Sequence, residues 1–286
     1  MNIMSKLGGY LRLIRPVNCG MIGIAVIVGA VLANPNIANR PWQSLVYGFV
    51  TSFTLTAASM AINDYYDRQI DAVNEPNRPI PSGLIKPRDA LIFAAVLSML
   101  GFAAAYLTNA LCLVTAIIAW MVFATYTTVG KRSGLPGNFL VSTCVAIPFV
   151  YGSIAIVADV RLNVLLFASM AFLSNTGREI TKGIVDVKGD MTANVKTMAV
   201  RYGEKKAAIS AALFYVLAIV LSPLPWLLNL VSAWFIPPVL ITDVGLAASS
   251  FMLLTDYSRQ NAKKIKNNVL IWFIIGLVAF IIGAIT

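Results

Sequence analysis

Apolar residues form nine long runs along the chain, separated by short polar segments. The runs lie at roughly residues 16–33, 42–63, 90–107, 110–128, 138–157, 162–182, 206–222, 231–254 and 268–285. Each is close to the roughly 20 residues that an α-helix needs to cross the hydrocarbon core of a bilayer. The polar segments between them are too short to fold as a separate soluble domain. The pattern therefore predicts an all-α polytopic membrane protein, with nine transmembrane helices in a single integral-membrane domain, residues 1–286.

The composition agrees with this interpretation and excludes several kinds of chemistry. Hydrophobic residues make up 58% of the chain and charged residues 12%, and the mean hydropathy is +0.79. Soluble domains are about 25% charged. The chain has no histidine, which excludes histidine acid–base catalysis and histidine-ligated metals. Its three cysteines lie within apolar runs, at spacings that fit neither a disulfide framework nor a metal site.

The basic residues predict how the chain is oriented in the membrane. If the N-terminus is cytoplasmic, 20 of the 22 Lys and Arg residues fall on the cytoplasmic side, and only Arg40 and Arg161 fall outside. This is the bias that the positive-inside rule describes. We therefore predict a multi-pass protein of the cell membrane with a cytoplasmic N-terminus. The net charge of +10 is spread over membrane loops, so no nucleic-acid partner is predicted.

The acidic residues are concentrated in two motifs at the ends of apolar runs. Seven of the 12 Asp and Glu residues lie in or near these motifs. In the first motif, Asn63, Asp67 and Asp71 recur every four residues, so a helix places their oxygens on one face. Three prolines and a glycine follow within residues 76–83. This composition predicts a stiff loop that holds Arg78 at a fixed distance from the carboxylates.

The second motif lies at the end of the sixth apolar run. Asp186 and Asp190 repeat the four-residue spacing, and Arg178 and Lys182 share the helical face of Asp186. Mixed charge at this spacing is also typical of ion pairs on a wet helix surface. A second acidic cluster on the same predicted side of the membrane favours a functional role, because both clusters can then serve one active site on the cytoplasmic side.

Clustered carboxylates repel one another and are typical of a cation site. Basic side chains surround both motifs, so the natural ligand is a diphosphate held through Mg²⁺. We predict that Asn63, Asp67 and Asp71 bind one Mg²⁺ and that Asp186 and Asp190 bind a second, which makes these five the catalytic residues. Substrate binding is predicted for the polar residues near the motifs and the central loop, Arg68, Arg78, Tyr126, Lys131, Arg178, Lys182 and Lys188.

Three charged residues also have a structural interpretation. Lys131 and Arg132 could serve only as topology anchors beside the fourth run. Asp243 lies alone within the eighth run, where a charge is costly. The sequence leaves open whether Asp243 has a structural or a functional role.

The motifs together resemble those of the UbiA superfamily of intramembrane prenyltransferases, over essentially the whole chain. The first reads Asn-Asp-x-x-Asp-x-x-x-Asp and is followed by Asn-x-Pro-x-Arg-Pro-Ile-Pro-Ser-Gly. The second Asp-x-x-x-Asp motif and the Arg15-Pro16-x-Asn18 start of the first run also match, and the latter adds Asn18 to the predicted substrate-binding residues. Met198-Ala199 departs from the Leu-Pro of many members. The resemblance implies a central polar chamber open near the cytoplasmic face.

The resemblance also implies a reaction. Residues 63–83 are most similar to the archaeal ether-lipid and chlorophyll synthase branches, and the second motif is more similar to the archaeal one. This implies Mg²⁺-assisted ionisation of geranylgeranyl diphosphate and transfer of its prenyl group to a lipid-like acceptor, geranylgeranylglyceryl phosphate. We expect the basic residues after the second motif to serve the acceptor phosphate, namely Lys196, Arg201, Lys205 and Lys206.

Two alternatives to this function remain. A prenyltransferase with an aromatic or chlorin acceptor, of chlorophyll synthase or quinone biosynthesis type, would keep every site residue and change only the acceptor pocket. A membrane transporter would place its polar groups near the midplane on broken helices. The acidic groups here cluster at one end, which disfavours transport.

Overall fold

A computed structural model describes residues 3–36, 42–192 and 194–285, and within these ranges the chain is helical and has no strand. Arg40, one of the two basic residues predicted to lie outside, is not among the described residues. The helices are α1 Ile3–Ile14, α2 Pro16–Ala33, α3 Trp42–Asn74, α4 Pro87–Thr108, α5 Ala110–Thr128, α6 Leu135–Val157, α7 Leu162–Thr192, α8 Met198–Tyr202, α9 Glu204–Leu221, α10 Leu224–Leu227, α11 Ile236–Thr255 and α12 Arg259–Ile285.

Eight segments of the described chain are long and apolar enough to cross a membrane. They are Pro16–Ala33, Trp42–Gln69, Pro87–Thr108, Ala110–Thr128, Leu135–Val157, Glu204–Leu227, Ala233–Thr255 and Arg259–Ile285. The prediction of an all-α polytopic membrane protein is thus confirmed. The predicted crossing that is missing from these eight is the sixth apolar run, residues 162–182, which lies in α7, a helix whose C-terminal half is rich in polar residues. Since α7 packs against α6, α9 and α12, it belongs to the bundle, but the count of nine crossings stays a prediction.

The two longest helices carry the two acidic motifs. Helix α3 has 33 residues and α7 has 31. At 1.5 Å per residue, each is roughly 45–50 Å long, which exceeds the roughly 30 Å hydrocarbon core. Each motif lies in the C-terminal part of its helix, so the extra helix length accommodates the polar residues of the motif after an apolar segment.

Helices α2 and α6 cross at very short distance through glycines. A Cβ atom on Gly29 would lie 2.0 Å from the backbone oxygen of Phe149, and one on Gly152 would lie 2.0 Å from that of Val26. Small residues of this kind let helix backbones approach closely in membrane proteins. The contact fixes the rotation of α2 and α6, and with it the side chains that both helices turn toward the interior.

The proline-rich loop after α3 is anchored by apolar contacts. Ile80 and Ile85 are 6% and 2% exposed and pack with Leu13 of α1 and Ala58 of α3. The amide of Ile85 donates to the carbonyl of Pro79 at 2.9 Å. These contacts explain how the loop holds a fixed position against the end of α3.

The predicted orientation can be tested by labelling single cysteines. Ser82 lies in the exposed loop before α4 and Leu228 in the exposed turn after α10. We expect a membrane-impermeant maleimide to label Ser82→Cys only from the cytoplasmic side and Leu228→Cys only from outside. The unsubstituted protein gives the background of the native cysteines. Labelling of both positions from the same side would contradict the predicted orientation.

Candidate active site

A cavity of about 1050 Å³ lies inside the bundle, and both acidic motifs line it. Ten of the predicted site residues are among those that line it, namely Asn63, Asp67, Asp71, Arg78, Tyr126, Lys131, Lys182, Asp186, Lys188 and Asp190. Residues more than 100 positions apart in sequence therefore face one space. The prediction that the two motifs serve one site agrees with this placement.

The rest of the cavity wall is mainly apolar. It is formed by side chains of α2, α3, α5 and α6, including Ile22, Val26, Leu55, Ala116, Ala119, Trp120, Phe123, Val141, Val145 and Pro148. A cavity with clustered charges on one part of its wall and apolar residues over the rest fits an amphiphilic molecule. Its volume is at the upper end of the roughly 300–1000 Å³ of ordinary ligand pockets.

Each carboxylate of the first motif contacts a polar partner. The amide of Asn63 donates to Oδ2 of Asp67 at 3.1 Å, and the ammonium group of Lys131 forms an ion pair with the same oxygen. The guanidinium of Arg78 donates to Oδ2 of Asp71 at 2.6 Å. Lys131 therefore contacts the first motif directly, which a role as a topology anchor does not require.

Asp64 adds a buried carboxylate behind this motif. It is 2% exposed, and Arg15 donates to its Oδ1 at 2.6 Å. Arg78 lies 3.6 Å from the same oxygen. Arg15 stands between α1 and α2 with left-handed backbone torsions (φ 50°, ψ 68°), a conformation that is uncommon for residues other than glycine. Asp64 thus links Arg15 and Arg78 at the edge of the cavity.

The negative charge of the second motif is balanced by fewer ion pairs than that of the first motif. Within the described part of the chain, neither Asp186 nor Asp190 makes an ion pair. Burial raises the pKa of the Asp190 carboxyl, and the nearby charge of Asp186 raises it further, while Thr197 and Lys182 act in the opposite direction. A second carboxylate close enough to raise the pKa of Asp190 in this way favours a cation between the two side chains.

The donor atoms of both motifs suit Mg²⁺. All of them are carboxylate or amide oxygens, the ligands that Mg²⁺ prefers. The described residues contain no group of three or more Asp, Glu, Cys or His side chains that could hold a metal ion. Each motif therefore supplies only part of a coordination shell, and phosphate and water oxygens would have to supply the rest.

Three predicted substrate-binding residues are not among the described residues that line the cavity. Asn18 is exposed on α2. Arg68 folds back on its own helix, where it donates to the carbonyl of Tyr65 at 2.7 Å and stacks over the ring of that residue at 4.4 Å. Arg178 pairs with Glu179 at 3.2 Å. Arg68 is rotated by about 100° from Asp67 around α3, whereas Arg178, one turn before Lys182 on the same helical face, is held by Glu179.

Two arginines that line the cavity were not among the site residues predicted from the sequence. Arg15 lies in the same Arg15-Pro16-x-Asn18 segment that suggested Asn18, so a motif signal for it existed. Arg259, at the start of α12, donates from Nε to the carbonyl of Val185 at 2.9 Å. No sequence signal pointed to Arg259, because its proximity to the second motif depends on how α12 packs against α7.

The remaining polar groups of interest lie elsewhere. Asp243 accepts a hydrogen bond from the hydroxyl of Ser222 at 2.6 Å, which joins α11 to the end of α9. This contact gives Asp243 a structural role. The four basic residues after the second motif, Lys196, Arg201, Lys205 and Lys206, are not among the described residues that line the cavity.

The fold and the cavity define a polytopic membrane protein with an internal site for a molecule that combines an anionic head with an apolar tail. The sequence pattern of the UbiA prenyltransferase family matches residues 22–283. The chain belongs to this family and is a prenyltransferase.

Full-length relatives make the comparison more specific. A digeranylgeranylglyceryl phosphate synthase from Archaeoglobus fulgidus is 36% identical over 289 residues, which cover 98% of each chain. A solved structure described as concerning digeranylgeranylglyceryl phosphate synthase in membranes is 32% identical, with a TM-score of 0.88 and 99% of each chain covered. A UbiA homolog from Archaeoglobus fulgidus bound to DMAPP and Mg²⁺ is 17% identical, with a TM-score of 0.69, and covers 95% of this chain and 99% of its own. The last of these comparisons concerns the fold alone.

Proposed function

We propose that this protein transfers a geranylgeranyl group from geranylgeranyl diphosphate to the free hydroxyl of geranylgeranylglyceryl phosphate and releases diphosphate. This reaction forms the second ether bond of an archaeal membrane lipid. The observation that carries the proposal is the single cavity in which two acidic motifs and several cations face a long apolar wall. The names of the full-length relatives that are at least 30% identical support the same acceptor class.

Mg²⁺ is the proposed cofactor. Asn63, Asp67 and Asp71 would hold one ion, and Asp186 and Asp190 a second, with diphosphate oxygens as further ligands. When bound, the ions would neutralise the charge of the diphosphate and orient it. The UbiA homolog bound to DMAPP and Mg²⁺ has the same fold, which supports a divalent metal for this chain.

The basic side chains of the cavity would stabilise the leaving group. As the allylic C–O bond breaks, negative charge grows on the diphosphate. Lys131, Lys182 and Lys188 line the cavity near the two motifs, and fixed cations in a site with little water stabilise such a transition state most strongly. Arg78 and Arg259 would add paired N–H donors suited to phosphate oxygens.

The apolar wall would hold the prenyl chain and the cation that ionisation produces. Trp120, Phe123 and Tyr126 belong to one helix, α5, and all three line the cavity. Aromatic faces attract a carbocation electrostatically. The acceptor hydroxyl then forms the new C–O bond, and its proton passes to the departing diphosphate, so no separate general base is required.

We further propose that residues 1–286 act as one prenyltransferase domain, with the N-terminus and the mouth of the site on the cytoplasmic side. The charge asymmetry of the loops supports this orientation. It would give water-soluble diphosphate access to the cytoplasm after each turnover.

A panel of acceptors tests the proposed function. Purified protein with labelled geranylgeranyl diphosphate and Mg²⁺ should prenylate geranylgeranylglyceryl phosphate. The dephosphorylated alcohol should be used at least about tenfold less efficiently, because charged hydrogen bonds to the phosphate are lost. Preference for 4-hydroxybenzoate or a chlorophyllide would overturn the acceptor assignment and leave the prenyltransferase class unchanged. Mg²⁺-independent transport of any substrate without diphosphate release would contradict the class itself.

A further inference from the structure

A second, smaller cavity of about 210 Å³ lies beside the large one. Its lining residues are Arg12, Arg15, Asp64, Glu75, Asn77, Arg78 and Pro79. They come from α1, the end of α3 and the proline-rich loop, with Arg15 between α1 and α2. Arg15 and Arg78 line both cavities, so these two side chains form the boundary between the two spaces. The proposed chemistry at the diphosphate uses Arg78 but none of the residues that line only the smaller cavity.

The charge balance of this smaller cavity favours an anion. Three arginines line it, against two carboxylates. One of these, Asp64, pairs with Arg15 and Arg78 at 2.6 and 3.6 Å. Arg78 also pairs with Asp71, so these contacts partly offset the charge of the two boundary arginines. The other, Glu75, is exposed to solvent. Arg12 makes no ion pair with any of the residues that the structure describes.

The arginines also retain hydrogen-bonding capacity. A guanidinium group carries five N–H donors. Arg15 directs Nη2 to Asp64 and Nη1 to the sulfur of Met60, and Arg78 directs Nη1 to Asp71. The side chains of Arg15 and Arg78 are 33% and 32% exposed. Asp64 and Asp71 hold the two guanidinium groups in place. The N–H donors that these contacts do not use are therefore pre-oriented at the boundary of the two cavities.

We propose that the smaller cavity binds the phosphate monoester of the acceptor, with Arg12 as a ligand specific to this cavity and Arg15 and Arg78 as ligands at the boundary. This inference rests on the proposed function. In a three-carbon glycerol unit, the free hydroxyl is only a few bonds from the phosphate. A phosphate held by Arg12 therefore leaves that hydroxyl at the boundary, where it faces the prenyl diphosphate in the large cavity.

This assignment differs from the one that the sequence favoured. Lys196, Arg201, Lys205 and Lys206 follow the second motif, but none of them is among the described residues that line either cavity. Asp64 acquires a positioning role in the new assignment, since it holds both boundary arginines. The acceptor thus uses one cation, Arg12, that does not line the large cavity, and substitution of Arg12 can separate acceptor binding from donor binding.

The test compares Arg12→Gln with Arg88→Gln. Arg88 is an exposed arginine at the start of α4 that lines neither cavity, so its substitution makes the same charge change away from the site. Arg12→Gln should raise KM for geranylgeranylglyceryl phosphate roughly tenfold or more, since a charged hydrogen bond is lost. Its KM for the donor and its efficiency with the dephosphorylated alcohol should equal those of the unsubstituted protein. Arg12→Lys, which keeps the charge, should recover part of the affinity.

The outcomes separate this inference from the proposed function. If the unsubstituted protein prenylates the phosphorylated acceptor but Arg12→Gln leaves its KM unchanged, the smaller cavity is not the phosphate site. Equal impairment with the phosphorylated acceptor and the alcohol would also overturn the assignment, because it would indicate a structural effect. If the unsubstituted protein prenylates neither acceptor, the proposed function itself fails before any variant is compared.

Discussion

Asp67→Asn and Asp186→Asn should each lower turnover by about a thousandfold or more while the protein remains folded. Each substitution removes one negative charge from a motif that lines the large cavity and leaves the side-chain volume nearly unchanged. If each motif holds a Mg²⁺, an amide in place of the carboxylate weakens the ion's hold on the diphosphate. The measurement is turnover of geranylgeranyl diphosphate at saturating Mg²⁺, together with calorimetric titration of the donor in the presence of the metal.

The matched control is Asp256→Asn. Asp256 is exposed at the end of α11, accepts a hydrogen bond from the amide of Ser258 at 2.9 Å, and lines neither cavity. An asparagine can accept the same hydrogen bond, so this variant should keep normal turnover. Near-normal activity of Asp67→Asn or Asp186→Asn at saturating Mg²⁺ would contradict the proposal that both motifs hold metal.

Gly152→Ala should destabilise the bundle by roughly 3 kcal/mol or more, at the upper end of the range for overpacking. The added Cβ would lie 2.0 Å from the backbone oxygen of Val26 and 2.7 Å from the backbone nitrogen of Ala30. Both obstacles are backbone atoms, so no side-chain rotation relieves the clash and α2 must move away from α6. We expect a large fall in Tm and in the yield of monodisperse protein in detergent.

Gly20→Ala provides the control for this prediction. Gly20 lies on α2, and a Cβ atom there would meet nothing within 4 Å. Alanine has the higher helix propensity, so this variant should be as stable as the unsubstituted protein or slightly more stable. If Gly152→Ala were equally stable, the close crossing of α2 and α6 would not be what positions the cavity wall.

Local sequence patterns were sufficient to predict the long apolar helices and the two motifs. Long apolar runs indicate membrane helices for two reasons. The thickness of the bilayer sets the length of a crossing segment, and backbone N–H and C=O groups inside the bilayer can form hydrogen bonds only with each other. A four-residue spacing places Asn63, Asp67 and Asp71 on one face whatever surrounds the helix. For the same reason, the spacing of prolines indicated a rigid loop that carries Arg78 next to these carboxylates.

These local patterns could not predict which basic side chains line the cavity. Arg68 lies one residue from Asp67, yet it stacks on Tyr65 instead of lining the cavity. Arg15 lines the cavity, whereas Asn18 of the same segment is exposed. Basic residues within a few positions of a motif look equivalent in the sequence, but each successive residue of a helix is rotated by about 100°.

The sequence by itself determined a helical membrane protein with two oxygen-donor motifs and an excess of basic loops. It did so because hydropathy and helical spacing act over a few turns of one segment. Only the tertiary structure decided that Arg15, Lys131 and Arg259 join those motifs, and that Arg12 lies at a separate cavity. These placements depend on contacts between helices that are distant in sequence, such as the glycine crossing of α2 and α6. No single segment of the chain determines the geometry of such contacts.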